Sequence, residues 1–547
     1  MINDSTIILC GGQLNYNYLP INTSQSNAMI TVNGKPVIGW ILDDLIAKKI
    51  DTATVVLQKE NHTLLNYLKN AFSRRLEINI VEVEDEGTIV TSLYSGLENS
   101  PARGLVRVIL GDTLISDPFD SSEDFVYTGA VEDSRRWCLV ETGKSGNVVG
   151  FIEKKENVKG GHEALAGYYH FINGDCLRNC CEQVIVEGEK ELSDVLKLYN
   201  DIHPIRARHT EAWYDFGHID NLVDARKKLL QSRYFNSLIV DSWLNTVTKV
   251  SDFDSKLQDE LHWYLNIPDE LKVLTPRIVK TRQINGRMEM TQEYYGYPTL
   301  SELYVYGNMH PDIWLSILKL VMKIHDEFRK YSGDMKPNAV INMYLDKTWE
   351  RINEVVKSDS KWRRIFDYDK IVFNDAELLN IGLLEKFIRG EVGKLAESAF
   401  FCVVHGDFCF SNILFDINNK IIRLIDPRGN FGGKGIYGDA RYDVAKLRHS
   451  ICGKYDFIME DLFYLQEEGN VFNGEIFVDN SLNRISERYD SMLEESGYDL
   501  SDIKFIEGLL FFSMLPIHQG HALRQRMMYL RGLSLLNEVI NENRDRY

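Results

Sequence analysis

Several common signals are missing from this 547-residue chain. No apolar run approaches the roughly 20 residues needed to span a bilayer, so membrane insertion is not expected. The first residues, Met1 to Ser5, carry neither a basic stretch nor a long apolar segment, so no secretory leader is expected there. The eight cysteines are scattered, and no CxxC element is matched by a second, which sets aside a structural zinc site. Without a leader they read as reduced thiols, and the expected location is the cytoplasm. The 13 histidines show no HExxH or paired metal-ligand spacing. Positive charge is also short: 62 Lys and Arg face 80 Asp and Glu, a net charge of −18 spread along the chain. A polyanion would be repelled on average, so nucleic acid is not an expected partner. Nucleotide sites survive this exclusion, because glycine loops and Mg2+ can outweigh the global field locally. Neither an internal repeat nor a low-complexity linker breaks the sequence.

What is present is enough for more than one core. A chain of this length is expected to form two to four domains, and 44% hydrophobic with 26% charged residues is ordinary globular composition. From Thr6 to about Leu230, short β-rich runs (Thr6–Cys10, Thr54–Leu57, Ile78–Val81, Val106–Leu110) alternate with helical patterns. Such alternation predicts an α/β domain with a mixed, mostly parallel sheet. The helix 221–232 closes it, which places the domains at 1–231 and 232–547. The second begins β-rich (strand-like runs in 237–251 and 288–295, a helix over 256–265) and turns mainly helical after Thr299, interrupted by short β-rich segments at 400–404 and 421–425. This predicts an α+β arrangement of two lobes: a small lobe at about 232–297 and a helical large lobe at about 298–547, hinged near 293–298.

The strongest chemical pattern is His405-Gly406-Asp407 running to Asn412, then an apolar strand ending in Leu424-Ile425-Asp426. Phosphoryl transfer needs these residue types in this order. A carboxylate, Asp407, orients an attacking hydroxyl and takes its proton. An amide oxygen, Asn412, holds Mg2+ without adding charge, and a second carboxylate, Asp426, bridges the metals that neutralise the β- and γ-phosphates. His405 reads as a loop brace. Upstream, Lys249 ends a strand-like run and would bind phosphates, with Glu260 on the next helix as its ion-pair partner. Glu293 and Tyr295 lie where a hinge would present backbone groups to adenine.

On these residues the carboxy-terminal half resembles the aminoglycoside/choline phosphotransferase family, from about Arg233 to Tyr464 with a helical tail. The resemblance implies a protein-kinase-like fold, ATP as phosphoryl donor, Mg2+ at Asn412 and Asp426, and a small-molecule hydroxyl as acceptor. Gly438 to Leu447 resembles the family's stretch after the metal site, with Asp443 bracing the catalytic loop and Arg428 or Asp439 facing the substrate.

The amino-terminal half carries Cys10-Gly11-Gly12, Gly34-Lys35-Pro36, Gly87-Thr88, Gly111-Asp112, Glu153-Lys154 and Trp213-Tyr214-Asp215-Phe216-Gly217. Two carboxylates delivered from separate strand ends, Asp112 and Asp215, can share one Mg2+ that bridges a nucleoside triphosphate and a phosphate nucleophile. In this order the landmarks resemble the sugar-phosphate nucleotidyltransferase family, over about Thr6 to Leu230. That resemblance implies a Rossmann-like fold with Asp112 and Asp215 on the metal. It also places Gly11, Gly12, Gly87 and Thr88 on the nucleotide, and Glu153 and Lys154 on the activated group. One departure stands out: the family's loop continues G-G-x-G-T-R and later carries Pro-Lys, whereas this chain has Gln13-Leu14-Asn15-Tyr16 and Ser26-Asn27-Ala28-Met29. Losing two cations from a site that stabilises a highly charged transition state weakens it by several kcal/mol. Three readings stay open: an active transferase with altered phosphate contacts, one with an atypical substrate, or a fold that only binds.

Together the halves suggest a bifunctional enzyme. A small hydroxyl compound (a sugar, amino alcohol or polyol) would be phosphorylated with ATP. The phosphomonoester would then be joined to CTP, UTP or a similar nucleoside triphosphate as a precursor for bacterial surface polysaccharide. The alternative is a single-activity kinase with a non-catalytic amino-terminal module. The acidic chain mildly suits a cationic acceptor, and the sequence leaves a homo-oligomer open.

Overall fold

A computed structural model describes residues 4–12, 26–59, 61–84, 87–100, 104–119, 122–154, 162–229, 236–251, 254–284, 286–307 and 309–545. Contacts divide the chain into two compact units, Met1–Leu229 and Leu230–Tyr547. Both the loop Gln13–Tyr16 and the proposed joint at 231–232 lie outside the described residues.

The first unit is built on strands β1 (Ser5–Leu9), β2 (Thr52–Gln58), β3 (Glu77–Val83) and β4 (Val106–Leu110). β1 is buried along its whole length and β2 through its five central residues, so they read as continuous apolar runs rather than alternating ones. They lie parallel in the order β4-β1-β2-β3, with Ile7 opposite Thr54 and Ile8 opposite Ile109. β5 (Thr113–Ile115) follows β4. β6 (Phe125–Val131), β7 (Cys138–Thr142), β8 (Val148–Glu153) and β9 (His162–Phe171) then extend the sheet with antiparallel pairings, and β10 (Arg206–His209) runs parallel to β6. A separate ribbon pairs β11 (Trp213–Asp215) with β5, setting Asp215 opposite Thr113.

Helices α1 (Val37–Ala47) and α2 (Ile89–Glu98) are crossovers of the parallel part. α2 lies close on the sheet because Gly96 has no side chain; a Cβ there would sit 2.9 Å from Ile7 Cγ2 and 3.0 Å from Val56 Cγ2. The chain leaves β1 toward β2 on one side and returns to β4 on the other. The carboxyl ends of β1 and β4 therefore meet at a topological switch point, where open α/β sheets form crevices.

The second unit opens with an antiparallel sheet of β12 (Asn236–Asp241), β13 (Thr246–Ser251), β14 (Ile278–Ile284) and β15 (Arg287–Glu293), in the order β12-β13-β15-β14. Helix α3 (Asp254–Asn266) follows β13, spanning the stretch read from sequence as 256–265. A helical part comes next: α4 (Pro311–Arg329), a continuous helical run α5 (338–358) interrupted by a π-helical turn at Asn342–Asp346, and later α6 (Ala440–Ile451), which is enclosed along its entire length.

This part is less purely helical than its sequence suggests. Four strands, Lys370–Phe373, Ala376–Leu379, Phe463–Glu468 and Val471–Ile476, form a second sheet in which two hairpins meet through the parallel pair Val372–Val471. The sequence reading missed this sheet. Its strands are only four to six residues long and half exposed, so their apolar content is too thin to declare a strand. No helix among the described residues is long and apolar enough to cross a membrane.

Candidate active sites

In the first unit a crevice of about 250 Å3 opens at the switch point, lined by Gly11 and Gly12 after β1, Gly111 and Asp112 after β4, and Gly87 and Thr88 ahead of α2. Thr88 caps α2 reciprocally with Thr91: the Thr91 N–H donates to Thr88 Oγ1 at 3.2 Å and the Thr88 N–H to Thr91 Oγ1 at 2.7 Å. The positive end of α2 is thus fixed at the wall of the crevice, where an anionic group is favoured.

Asp112 and Asp215, 103 positions apart by their numbering, converge because β5 and β11 pair immediately beside them. An ideal Cβ on Gly217 would stand 2.9 Å from Asp112 Oδ2 and 3.3 Å from Asp215 Oδ1, so the glycine keeps the space between the carboxylates open. Burial first, and then the neighbouring Asp215 charge, push the Asp112 carboxyl above the usual range. Asn221 Nδ2 donates to Asp215 Oδ2 at 2.8 Å, and His218 Nδ1 lies 2.9 Å from the same oxygen. That hydrogen bond raises the His218 pKa. His218 therefore belongs to the carboxylate pair. Its spacing of three from Asp215 was the available signal.

Asn27 Nδ2 donates to Asp112 Oδ2 at 3.2 Å. An amide from Ser26-Asn27 thus reaches the carboxylate where the resemblance leads one to look for a lysine. Among the described residues, no Lys or Arg lines the crevice. Glu153 and Lys154 stand at the end of β8, paired at 3.7 Å and partly exposed, and the Lys154 N–H donates to the Trp137 carbonyl. The Trp137 ring packs against Trp213 and His218, with centroids 4.8 and 4.6 Å away, which links this acid and base to the Asp215 segment. Trp137 carried no sequence signal.

In the second unit, backbone bonds lace two loops together: Ile425 N–H to Asn412 O at 3.0 Å and Arg428 N–H to His405 O at 2.9 Å. They bring Asp407, Asn412 and Asp426 to one place. Asp443 on α6 accepts from the N–H groups of His405 at 2.7 Å and Gly406 at 2.9 Å and braces the loop; burial pushes its carboxyl up to about 7. His405 is fully enclosed against Trp263 and Phe408, and burial lowers it to about 4, so it is a neutral packing group.

Asn412 Nδ2 donates to both Asp407 O and Asp407 Oδ2 at 2.9 Å. Its Oδ1 is buried and has no hydrogen-bond partner among the described residues. Such an acceptor is costly unless something fills it. Lys446 Nζ lies 2.9 Å from Asp407 Oδ1, while the Asp407 side chain keeps 38% exposure and so is reachable from solvent. Enclosure alone would raise the Asp407 pKa, but Lys446 and Arg428 outweigh it and hold the carboxyl well below the usual carboxylate range. Lys446 was missed as a site residue. It sits on α6, one turn past Asp443, and only the fold shows that it faces the loop.

Lys249 on β13 pairs with both Glu260 on α3 and Asp426. Trp263 Nε1 donates to Val404 O at 2.7 Å, which ties α3 to the strand entering the Asp407 loop. A Cβ at Gly429 would fall 1.9 Å from the Asp259 carbonyl oxygen, so only glycine lets the Arg428 loop lie on α3. At the hinge, Glu293 N–H donates to Arg277 O and Tyr294 N–H to Asn245 O, and the Tyr295 hydroxyl donates to Glu293 Oε2 at 2.9 Å. Asp439 departs from its sequence assignment to substrate. It is fully enclosed, caps α6, and binds the Arg441 guanidinium at 3.0 Å and the Tyr344 hydroxyl at 3.1 Å, which leaves no free face.

Replacing Lys249 with methionine leaves Glu260 and Asp426 sharing an enclosed space without their cation. The unfolding transition of the second unit is expected to drop by about 3–5 kcal/mol, read by denaturant titration.

Neither site holds a full metal cage: among the described residues, no group of three or more His, Cys, Asp or Glu side chains is placed around one point. Two protein ligands with the remainder from phosphates and water is how Mg2+ is ordinarily held. Both donor sets fit it, Asp112 with Asp215 through two adjacent carboxylates whose like charge raises Asp112, and Asn412 with Asp426 through the orphaned amide oxygen.

A family model described as Nucleotidyl transferase matches residues 5–232. Among solved structures, the first unit is similar to a protein from Bacillus anthracis with a provisional glucose-1-phosphate thymidylyltransferase assignment, solved with sucrose (18% identity, 42% of this chain and 97% of that one, TM-score 0.37). It is also similar to the CTP:phosphocholine cytidylyltransferase of Streptococcus pneumoniae (18% identity, 42% and 100%, TM-score 0.34). A third is the UDP-glucose pyrophosphorylase of Acinetobacter baumannii (15% identity, 42% and 93%, TM-score 0.35). No curated protein matches the chain.

Proposed function

We propose, from the premise that residues 5–232 form a nucleotidyl transferase domain, that the chain makes a phosphomonoester in its second unit and activates it in its first. The observation that carries the kinase half is the gathering of Asp407, Asn412, Asp426, Lys249 and Glu260 from four separate elements, with Asn412 Oδ1 left for a ligand. Lys249 positions the ATP phosphates, held by Glu260. Asp407 accepts a hydrogen bond from the acceptor hydroxyl and aims its oxygen at the γ-phosphorus. The bond to the β-phosphate breaks, ADP leaves, and the hydroxyl proton passes through Asp407 to solvent. With its depressed pKa, Asp407 acts mainly by orientation.

In the first unit a phosphomonoester oxygen attacks the α-phosphorus of CTP, UTP or a similar nucleoside triphosphate, and pyrophosphate leaves. Gly11, Gly12, Gly87 and Thr88 line the nucleotide side, and Glu153 and Lys154 serve the activated group. Bound Mg2+ would neutralise phosphate charge at Asp112 and Asp215 and at Asn412 and Asp426. The product class suits a nucleotide-linked precursor of bacterial surface polysaccharide, and such an enzyme would work in the cytoplasm.

A second reading has its own observation. Among the described residues the crevice has no lining cation and Asn27 lies on Asp112, which favours a module that binds nucleotide without turning it over. Gly217→Ala separates the two readings. The added methyl forces the carboxylates apart, so pyrophosphate release from a nucleoside triphosphate and phosphomonoesters should fall at least about tenfold if the site is catalytic. Under the binding-only reading there is no such release to lose.

A further inference from the structure

The surroundings of Asp407 carry a charge opposite to that of the whole chain. Tyr442 and Lys446 lie one turn apart on α6. The Tyr442 hydroxyl holds the Arg428 guanidinium at 2.8 Å, and its ring stacks on Tyr344 of α5 with centroids 6.1 Å apart. Tyr344 belongs to the π-helical turn that ends directly before Lys347, and Arg351 follows Lys347 one turn on. Single π turns inside α-helices recur at functional sites, because they re-aim the side chains that follow. Lys347, Arg428 and Lys446 are thereby collected from three elements near Asp407, with Arg351 beside Lys347.

The pairing within this group is incomplete. Lys446 is matched by Asp407 at 2.9 Å, and Arg351 by Glu354 at 3.3 Å. Arg428 has the Tyr442 hydroxyl as its hydrogen-bond partner, and Lys347 Nζ reaches only Met343 Sδ, 3.9 Å away, among the described residues. Burial, and then the mutual repulsion of Arg428, Lys446 and Arg351, lower Lys347 to about 6. Arg351 and Arg428 also lower Lys256, after burial, from the α3 side. Basic groups held together against their own repulsion, one of them pushed toward its neutral form, are poised to take up an anion. Lys446, Arg428 and Lys347 are grouped with Asp407, whereas Lys249 is grouped with Asp426 and Glu260 on the phosphate-donor side.

We infer that the hydroxy compound phosphorylated at Asp407 is an anion, whose carboxylate, sulfonate or phosphate-type group is bound by Lys347, Arg351 and Arg428. The inference rests on the kinase reading above and reverses the cationic acceptor suggested by net charge. Arginine supplies a fork that matches a planar or tetrahedral oxyanion, and Lys347 supplies a point charge that such a group restores to full protonation.

The test measures ADP formation by the full chain with ATP, Mg2+ and three acceptor panels. These are anionic hydroxy compounds (hydroxy acids and polyol phosphates), neutral polyols and hexoses, and cationic amino alcohols. Turnover is expected in the anionic panel. With the best anionic acceptor, Lys347→Gln and Arg351→Gln should raise the acceptor KM at least tenfold. The KM for ATP should stay within twofold and the melting temperature should be unchanged, and Lys347→Arg should recover most of the acceptor affinity. Turnover confined to the neutral or cationic panel overturns the inference and leaves the kinase reading standing. Variants that raise the KM for ATP instead assign the cations to the donor and also overturn it. ADP formation with no panel overturns the kinase reading and this inference with it.

Discussion

Asp407→Asn is expected to lower ATP-dependent phosphorylation by about 10²–10⁴-fold, with the KM for ATP little changed. The carboxylate is held from both sides, Oδ1 by Lys446 and Oδ2 by Asn412, so its lone pairs point in fixed directions. An amide keeps the size but swaps one acceptor for a donor that meets Lys446 head-on, and the hydroxyl loses its orienting partner. Lys446 also loses its charge partner while 4% exposed, so some stability goes as well. Lys446→Met separates the two effects. It leaves Asp407 with one holder and a less depressed pKa. It should therefore cost less in rate than Asp407→Asn while moving the acid limb of the pH–rate profile upward. A loss equal to that of Asp407→Asn, with the limb unmoved, would show that only the local packing mattered.

Asp112→Asn should act in the opposite sense on stability and activity. Pyrophosphate release is expected to fall by about 10²–10³-fold, the scale associated with losing one aimed electrostatic group. Phosphorylation should be unaffected. The folded Asp112 carboxyl has its pKa raised, so above that pKa the ionised group opposes folding, and the penalty fades as pH falls through it. A neutral amide removes the penalty at neutral pH. The first unit should then melt higher than wild type, by an amount that shrinks toward acid pH. Mg2+ should raise the melting temperature of the wild type more than that of the variant. Loss of release with an unchanged or lower melting temperature would contradict the view that the two carboxylates are held together for a ligand.

How much was legible depended on how local each contact is. Asp407, Asn412 and Asp426 are joined through short loops, so their spacing announces them. The chain from Thr246 to Glu260 is likewise one strand and one helix, and Lys249 and Glu260 meet across it. The crevice of the first unit was readable because glycines and acids fall at strand ends, which parallel crossovers must bring to one edge. Lys446, Lys347 and Arg351 were not readable. They lie on helices that look like ordinary solvated or core helices, and their facing is set by packing of Tyr344 on Tyr442, nearly a hundred residues away. The second sheet of unit two did leave a trace. Asn374 and Asp375 both take positive φ, 48° and 66°, between two short apolar runs, as a two-residue hairpin turn requires. Net charge is too blunt to report a local field, since −18 over the chain coexists with the basic side chains Lys347, Arg428 and Lys446 gathered near Asp407.

That one chain performs both steps in sequence is tested by following pyrophosphate release on mixing the full chain with Mg2+, ATP, CTP or UTP, and the hydroxy compound that supports ADP formation. The account predicts release that requires that compound, disappears in Asp407→Asn, returns when the phosphomonoester is supplied to Asp407→Asn, and does not return in Asp112→Asn. Wild-type protein that forms the phosphomonoester yet releases no pyrophosphate from it with any nucleoside triphosphate would contradict the account and leave a kinase joined to a binding module.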